Sequence, residues 1–251
     1  MTPASRAAPA SRGRGRFVFL VALCAIAFAG FIALGNWQVR REGWKLKLIH
    51  DVAARVHATP VAAPGPAAWP LVGKGHLQYL HVELHGRFLA GKSTRVHGTS
   101  ELGYGYWVMA PFETDRGFIV LVNRGYVPAG TPGAQTAAPA GETSLTGLLR
   151  FSEPGGGFLR PNQPKTNEWY SRDVAAIATA RALPTSRVAP YFVDADAGTN
   201  PGGGPVAGLT KIQFRNPHVG YAITWYLMAL GTLLGAGLII RDRRRSSGSR
   251  G

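Results

Sequence analysis

Two long uncharged stretches frame the chain, and between them the hydrophobic pattern changes from runs to alternation. Residues 17–34 carry no charge over 18 positions, and residues 221–240 carry none over 20. As a helix rising ~1.5 Å per residue, the first reaches ~27 Å against a bilayer core of ~30 Å, so both are predicted to span a membrane. Ala27-Phe28-Ala29 resembles a signal cleavage site. Phe31, Ile32 and Leu34 continue the apolar run past it, beyond the ~7–15 residues of a signal-peptide core, which favours a retained helix. At the head of the second stretch stands His218, preceded by Asn216 and Pro217 and followed by Tyr221, Trp225 and Tyr226. Asparagine suits a helix cap and proline the first turn, so His218 is expected in the first turn of the second helix, at the membrane–water boundary.

Between the stretches the pattern predicts mainly strands. Trp37, Trp44, Leu48 and Val52 recur at helical spacing and suggest that the first helix continues, with its tryptophans and basic residues as an interfacial anchor. Residues 58–73 are rich in Ala and Pro and read as a loop. Leu80, Val82 and Leu84 alternate with His81, Glu83 and His85, a half-buried strand. A metal trio on its polar face is possible chemistry, although a solvated strand face is the commoner cause of such a row. Residues 104–112 and 117–122 flank Glu113-Thr114-Asp115-Arg116 as a hairpin, and Leu121-Val122-Asn123-Arg124-Gly125-Tyr126-Val127-Pro128 is read as ending the second strand in a turn. Residues 144–151, 191–193 and 209–214 are further strands. Val174, Ile177 and Ala178 mark a short helix with Ser171 as its cap. The segment is α+β, dominated by antiparallel β.

Charge sharpens the topology. The net charge is +15, and the densest positive charge flanks the apolar stretches. Residues 1–16 hold four arginines and no acid, residues 241–251 hold five arginines and one acid, and residues 37–218 hold 19 basic against 12 acidic residues. A nucleic-acid binder would concentrate charge on one folded surface, so nucleic acid is not an expected partner. Positive flanks stay inside, which predicts basic cytoplasmic tails at 1–16 and 241–251, helices at 17–36 and 219–240, and an outer domain at 37–218. This arrangement suits a multi-pass protein of the bacterial inner membrane with a periplasmic central domain. Ala25, Ala29 and Ala33, and Gly231 with Gly235, offer small-residue stripes through which the helices could pack.

Catalytic signatures are absent. The sequence has no G-x-S-x-G elbow, P-loop or H-E-x-x-H, and its one cysteine, Cys24, lies in the first apolar stretch. Gly155-Gly156-Gly157 and Gly202-Gly203-Gly204 read as flexible loops rather than phosphate cradles. Acids are scattered and form no evident dyad, so no enzyme is expected.

Four ordered blocks resemble the surfeit-locus family of cytochrome c oxidase assembly factors (Surf/Shy-type inner-membrane proteins). They are Leu34-Gly35-Asn36-Trp37-Gln38-Val39-Arg40-Arg41; Asn123 to Pro128; Trp169-Tyr170 with Arg172-Asp173; and Arg215-Asn216-Pro217-His218 with Tyr221 to Tyr226. Pro217 departs from the usual pattern. The resemblance implies a role in maturing the oxidase's catalytic subunit at the stage of haem a insertion, with a haem a synthase as a further partner. It implies His218 as a transient axial ligand to haem iron. Arg40, Arg41 and Arg215 could then pair with propionates, and Trp37 or Trp225 could lie against the porphyrin. The alternative is a scaffold that holds the nascent catalytic subunit and binds no haem.

Overall fold

The computed structural model describes residues 10–73, 77–198, 204–210, 212 and 216–248. They fall into two compact units, Met1–His50 with Gln213–Gly251, and Asp51–Ile212. The first element, α1 (Ala10–Val56), is a helix of 47 residues, about 70 Å long. It outruns its apolar stretch because residues 37–56 are mostly good helix formers. It ends before Thr59-Pro60, where proline disfavours helical backbone in the residue ahead of it.

The second unit is a small barrel. Its strands are β1 (Val61–Ala62), β2 (His81–Phe88), β3 (Thr94–Ser100), β4 (Gly103–Thr114), β5 (Ile119–Pro128), β6 (Glu142–Phe151), β7 (Gly156–Gly157), β8 (Arg160–Pro161) and β9 (Val188–Ala195). The main sheet runs β1-β2-β6-β9-β5-β4-β3, and β2 pairs with β4 as well as with β6. Five strands therefore close a ring, β2-β6-β9-β5-β4, which is the Greek-key connectivity of OB-type barrels. Every pairing in the ring is antiparallel except β5 with β9, which is parallel. The closing seam pairs Gly86 with Thr114 and Phe88 with Phe112.

The barrel interior is filled by Val82, Leu84, Phe112, Val120, Val122, Leu149, Tyr191 and Val193. A second cluster, with Met109, Leu121 and Phe192 from the sheet, packs against Trp169 and the helix α2 (Val174–Ala180). Strand β5 is thus buried on both faces, which explains its unbroken apolar run Ile119-Val120-Leu121-Val122.

Local details differ from the sequence reading. Strand β5 does not turn at Asn123 but continues to Pro128. The cap of α2 is Asp173, whose carboxylate accepts from Ala176 N–H at 3.1 Å. Ser171 instead donates to Glu153 C=O and accepts from Gly156 N–H, tying down the β7–β8 hairpin. That hairpin occupies the segment expected to be a flexible glycine loop. The 58–73 segment contains β1 and a 3-10 turn, Pro66–Leu71. Leu209, Thr210 and Ile212 are not in a strand, and the rest of the 209–214 expectation lies outside the described residues, as does Gly202-Gly203.

The first unit pairs α1 with α3 (His218–Gly248). Both helices contain segments long and apolar enough to cross a membrane. The better-covered positions include Cys24, Phe28, Phe31, Gly35 and Gln38 on α1, and His218, Ala222, Trp225, Ala229, Thr232 and Ala236 on α3, with neighbours such as Ala27, Ile32 and Gly235 partly covered beside them. Alternating steps of four and three give a period of 3.5, the seam of a left-handed helix pair. Contacts run antiparallel along it: His218 with Gln38, Tyr226 with Asn36, Trp225 with Phe31, Arg243 with Phe17. The expected stripes do not form this seam. Ala25, Ala29 and Ala33 are exposed, and a Cβ at Gly231 or Gly235 would meet nothing. The close approach is at Gly35, where a Cβ would lie 2.6 Å from the Tyr226 ring. Trp37 and Trp44 likewise face outward rather than sharing a covered face with Val52.

Candidate functional site

Helix α3 begins at His218, and the Tyr221 N–H donates to Pro217 C=O at 3.3 Å. Pro217 therefore takes the cap position and Asn216 lies one residue outside it, a shift of one from the expected register. His218 Nδ1 lies 2.8 Å from Gln38 Oε1, an acceptor, so Nδ1 carries the proton and donates. In the neutral ring Nε2 then holds the lone pair, and among the described residues it has no hydrogen-bond partner. Gln38 is only 8% exposed. Its place on the seam makes the bond a fixed part of the helix pair. Two residues before His218, the Asn216 side-chain oxygen is buried with no partner among the described residues.

The other expected site residues are distributed unevenly. From Gln38, Trp37 is rotated about 100° around α1, Arg41 about 60° and Arg40 about 160° at 3.6 residues per turn. Trp37, Arg40 and Arg41 are all exposed. The Arg41 guanidinium sits 4.7 Å over the Trp44 ring. Of the two adjacent arginines, only Arg41 flanks the histidine-bearing side; Arg40 points away from it. Trp225 shares the face of His218 two turns deeper and stacks on Phe31 at 5.8 Å and 25°, so one face of its indole is already occupied. Arg215 lies outside the described residues.

The barrel collects the two middle motif blocks into a polar network. Asp194, 3% exposed, accepts from Asn123 Nδ2 at 2.7 Å, Arg150 Nη1 at 2.7 Å and the Thr210 hydroxyl at 2.9 Å. Arg172 Nη1 approaches it at 3.5 Å. Arg172 also donates to Glu153 through Nε at 3.0 Å and Nη2 at 2.6 Å. Burial alone would raise the Glu153 carboxyl, but the bonds and charge of Arg172 outweigh it and hold that pKa below its ordinary value. Arg172, whose desolvation works against its charge, is nonetheless held above its ordinary value by Glu153 and Asp194. Arg124 is buried over Phe88 and donates to Thr136 C=O and Ala137 C=O. Tyr126 reaches Gly98 C=O and Gly103 C=O through its hydroxyl. These blocks hold loops onto the barrel. Thr99, Trp107, Arg150, Arg172, Asp194 and Thr210 line a cavity of about 500 Å³ above them.

Sequence reasoning missed Gln38 and Asp194 as partners. Each left a trace: a polar residue just past an apolar run, and an acid inside the apolar strand Tyr191-Phe192-Val193-Asp194-Ala195. His81, Glu83 and His85 share a strand face but do not converge on one point. His81 is taken by Ala58 C=O and Asp196, and among the described residues no group of three or more His, Cys, Asp or Glu side chains converges.

A closed five-stranded barrel, set in sequence between two apolar helices that pair through a histidine–glutamine bond, defines a β-domain protein flanked by helices long and apolar enough to cross a membrane. The SURF1 family profile matches residues 25–230. Surfeit locus protein 1 of Mus musculus is 34% identical over 233 residues, covering 85% of this chain and 72% of its own length. The Homo sapiens protein of the same name is 35% identical over 219 residues, 79% of this chain and 70% of its own. A SURF1-like protein of Monosiga brevicollis is 34% identical over 248 residues, 92% and 90%. The chain belongs to the SURF1 family.

Proposed function

We propose that this protein is an assembly factor for cytochrome c oxidase, assisting delivery or insertion of haem a into the catalytic subunit. Both helices cross the bacterial inner membrane, the two basic tails lie in the cytoplasm, and the barrel lies in the periplasm. The protein carries out no bond chemistry of its own. It works beside the catalytic subunit and a haem a synthase.

The observation that carries the haem reading is the Gln38–His218 bond. A ligating histidine ordinarily donates its other ring N–H to an acceptor that fixes tautomer and orientation, and Gln38 is placed for that role. The residues present fit a haem: an imidazole with Nε2 available, an orphaned Asn216 oxygen two residues before it in the chain, and exposed apolar helix surface at Val219, Tyr221 and Ile223. The group would supply an iron centre for axial ligation and a flat apolar face for burial. His218 would hold the iron, Arg41 and Arg215 would pair with propionates, and exposed Trp37 would lie against the macrocycle. Arg40 would contribute charge from the far side of α1. Trp225, with Phe31, would form the apolar floor.

Protein purified in detergent from cells that make haem a should show a Soret band that His218→Ala weakens. An unchanged band in that variant removes His218 as ligand. A second reading, a scaffold for the nascent catalytic subunit without haem, is favoured by the same bond if its service is only to pair the helices. Co-purification of the subunit from cells lacking haem a synthesis supports the scaffold, and its loss there removes it.

A further inference from the structure

At the end of the helix pair far from His218, α1 and α3 build a second feature. Arg14, Phe17 and Val18 from α1 and Ile240, Arg243 and Arg244 from α3 line one open cleft of about 610 Å³, within the size range of small-molecule sites. The Arg243 guanidinium lies 3.9 Å over the Phe17 ring, which holds it at the cleft wall. Three guanidiniums thus share the cleft with three apolar side chains. Asp242 is the one acid in residues 1–16 and 241–251.

We propose that this cleft binds the phosphate of an anionic phospholipid. Guanidinium forks match phosphate oxygens, and basic pockets between membrane helices on the inner side suit acidic headgroups. The apolar residues distinguish the ligand. Phe17, Val18 and Ile240 continue into the exposed apolar surface of the helices, where Val18 and Phe19 are uncovered, so an acyl chain can follow the helix away from its headgroup. A free phosphate would use only the arginines. The inference rests on both helices crossing the membrane as proposed above.

The test uses the full chain in nanodiscs, comparing thermal stability and retained lipid with cardiolipin, phosphatidylglycerol or phosphatidylcholine. Removal of three arginines near a membrane surface lowers anionic-lipid affinity by roughly 100-fold, at about fivefold each. The proposal expects more than that diffuse loss in Arg14→Gln/Arg243→Gln/Arg244→Gln, because the hydrogen bonds to the seated phosphate go with the charge. A control of equal charge, Arg16→Gln/Arg241→Gln/Arg245→Gln, should lose only that diffuse share, so the cleft variant should fall at least about tenfold further. Equal losses in the two triple variants would mean diffuse attraction and overturn the site. Equal stabilisation by the three lipids would overturn it too. Inorganic pyrophosphate stabilising as well as cardiolipin would show a free-phosphate site instead. Carbonate extraction separates the two failures: release from membranes removes the membrane reading, whereas retention without lipid preference removes only this site. Phe17→Ala should weaken cardiolipin retention while leaving the net charge unchanged.

Discussion

His218 stands at the head of an apolar helix and Asp194 within an apolar strand, and each is governed by the partner that tertiary contact supplies. Gln38 accepts the Nδ1 proton of His218, so Gln38→Leu should leave the imidazole free to rotate and to switch tautomer. Loss of such an outer partner typically costs ten- to a hundredfold in ligand affinity, and the Soret absorbance per protein should fall by about tenfold. Gln38→Glu, which still accepts, should restore most of it; an unchanged absorbance in the leucine variant would sink the orienting role. Asp194 answers to Arg150 and Arg172. Asp194→Ala leaves Arg150 and Arg172 with Glu153 as their one remaining carboxylate in a mostly buried place and should cost about 3 kcal/mol, read from denaturant unfolding by tryptophan fluorescence. Adding Arg150→Met should recover part of that loss. Failure to recover any would show that the cost is not electrostatic.

At the scale of elements, the helix pair and strand β2 make separate predictions. Gly35 is where α1 and α3 come closest, and Tyr226 cannot easily retreat because its hydroxyl donates to Asn36 Oδ1 at 2.8 Å. Gly35→Leu should therefore spread the seam at an overpacking cost of about 1–3 kcal/mol. Disulfide formation between Phe31→Cys and Trp225→Cys, in a Cys24→Ser background, should drop when the leucine is present. On β2, burial by itself would lower the His81 pKa, but Ala58 C=O and Asp196 face its two nitrogens and together raise it above the ordinary 6.5. A raised folded pKa means that the pair's stabilisation is complete below about 6.5 and is lost as pH rises through the higher folded value. The barrel should thus weaken from mildly acid toward mildly alkaline pH. His81→Gln should flatten that slope; an equally steep slope in the variant would place its origin elsewhere. Glu153 acts oppositely: its folded pKa is lowered from 4.5, so its contribution is present above 4.5 and fades as pH falls through the folded value.

On the scale of the whole molecule, barrel closure depends on the seam between β2 and β4. Gly86 there has φ +145°, and a Cβ would collide with Glu113 C=O. Gly86→Val should open this seam before the rest of the sheet. Hydrogen exchange should quicken first at the β2 and β4 amides near Gly86 and Thr114, while the doubly buried β5 stays protected. Uniform loss of protection would mean that the barrel unfolds as one unit with no weak seam.

Periodicity, charge and motif order carried much of this protein on their own. Two uncharged runs of bilayer length, alternating strands between them and four ordered blocks were legible because hydrophobic spacing and composition are local properties. The family was legible for the same reason. Ring closure was not, since β2 meets both β4 and β6 and nothing local records a strand's second neighbour. Gln38 and Asp194 showed only as polar residues in apolar settings, and their partners lie 180 and 44 residues away, with Arg150 the latter. The helix seam was misread from small residues because alanine and glycine permit close approach without requiring it. Which face packs was decided by Gly35 against Tyr226 and Phe31 against Trp225, contacts that exist only once both helices are side by side.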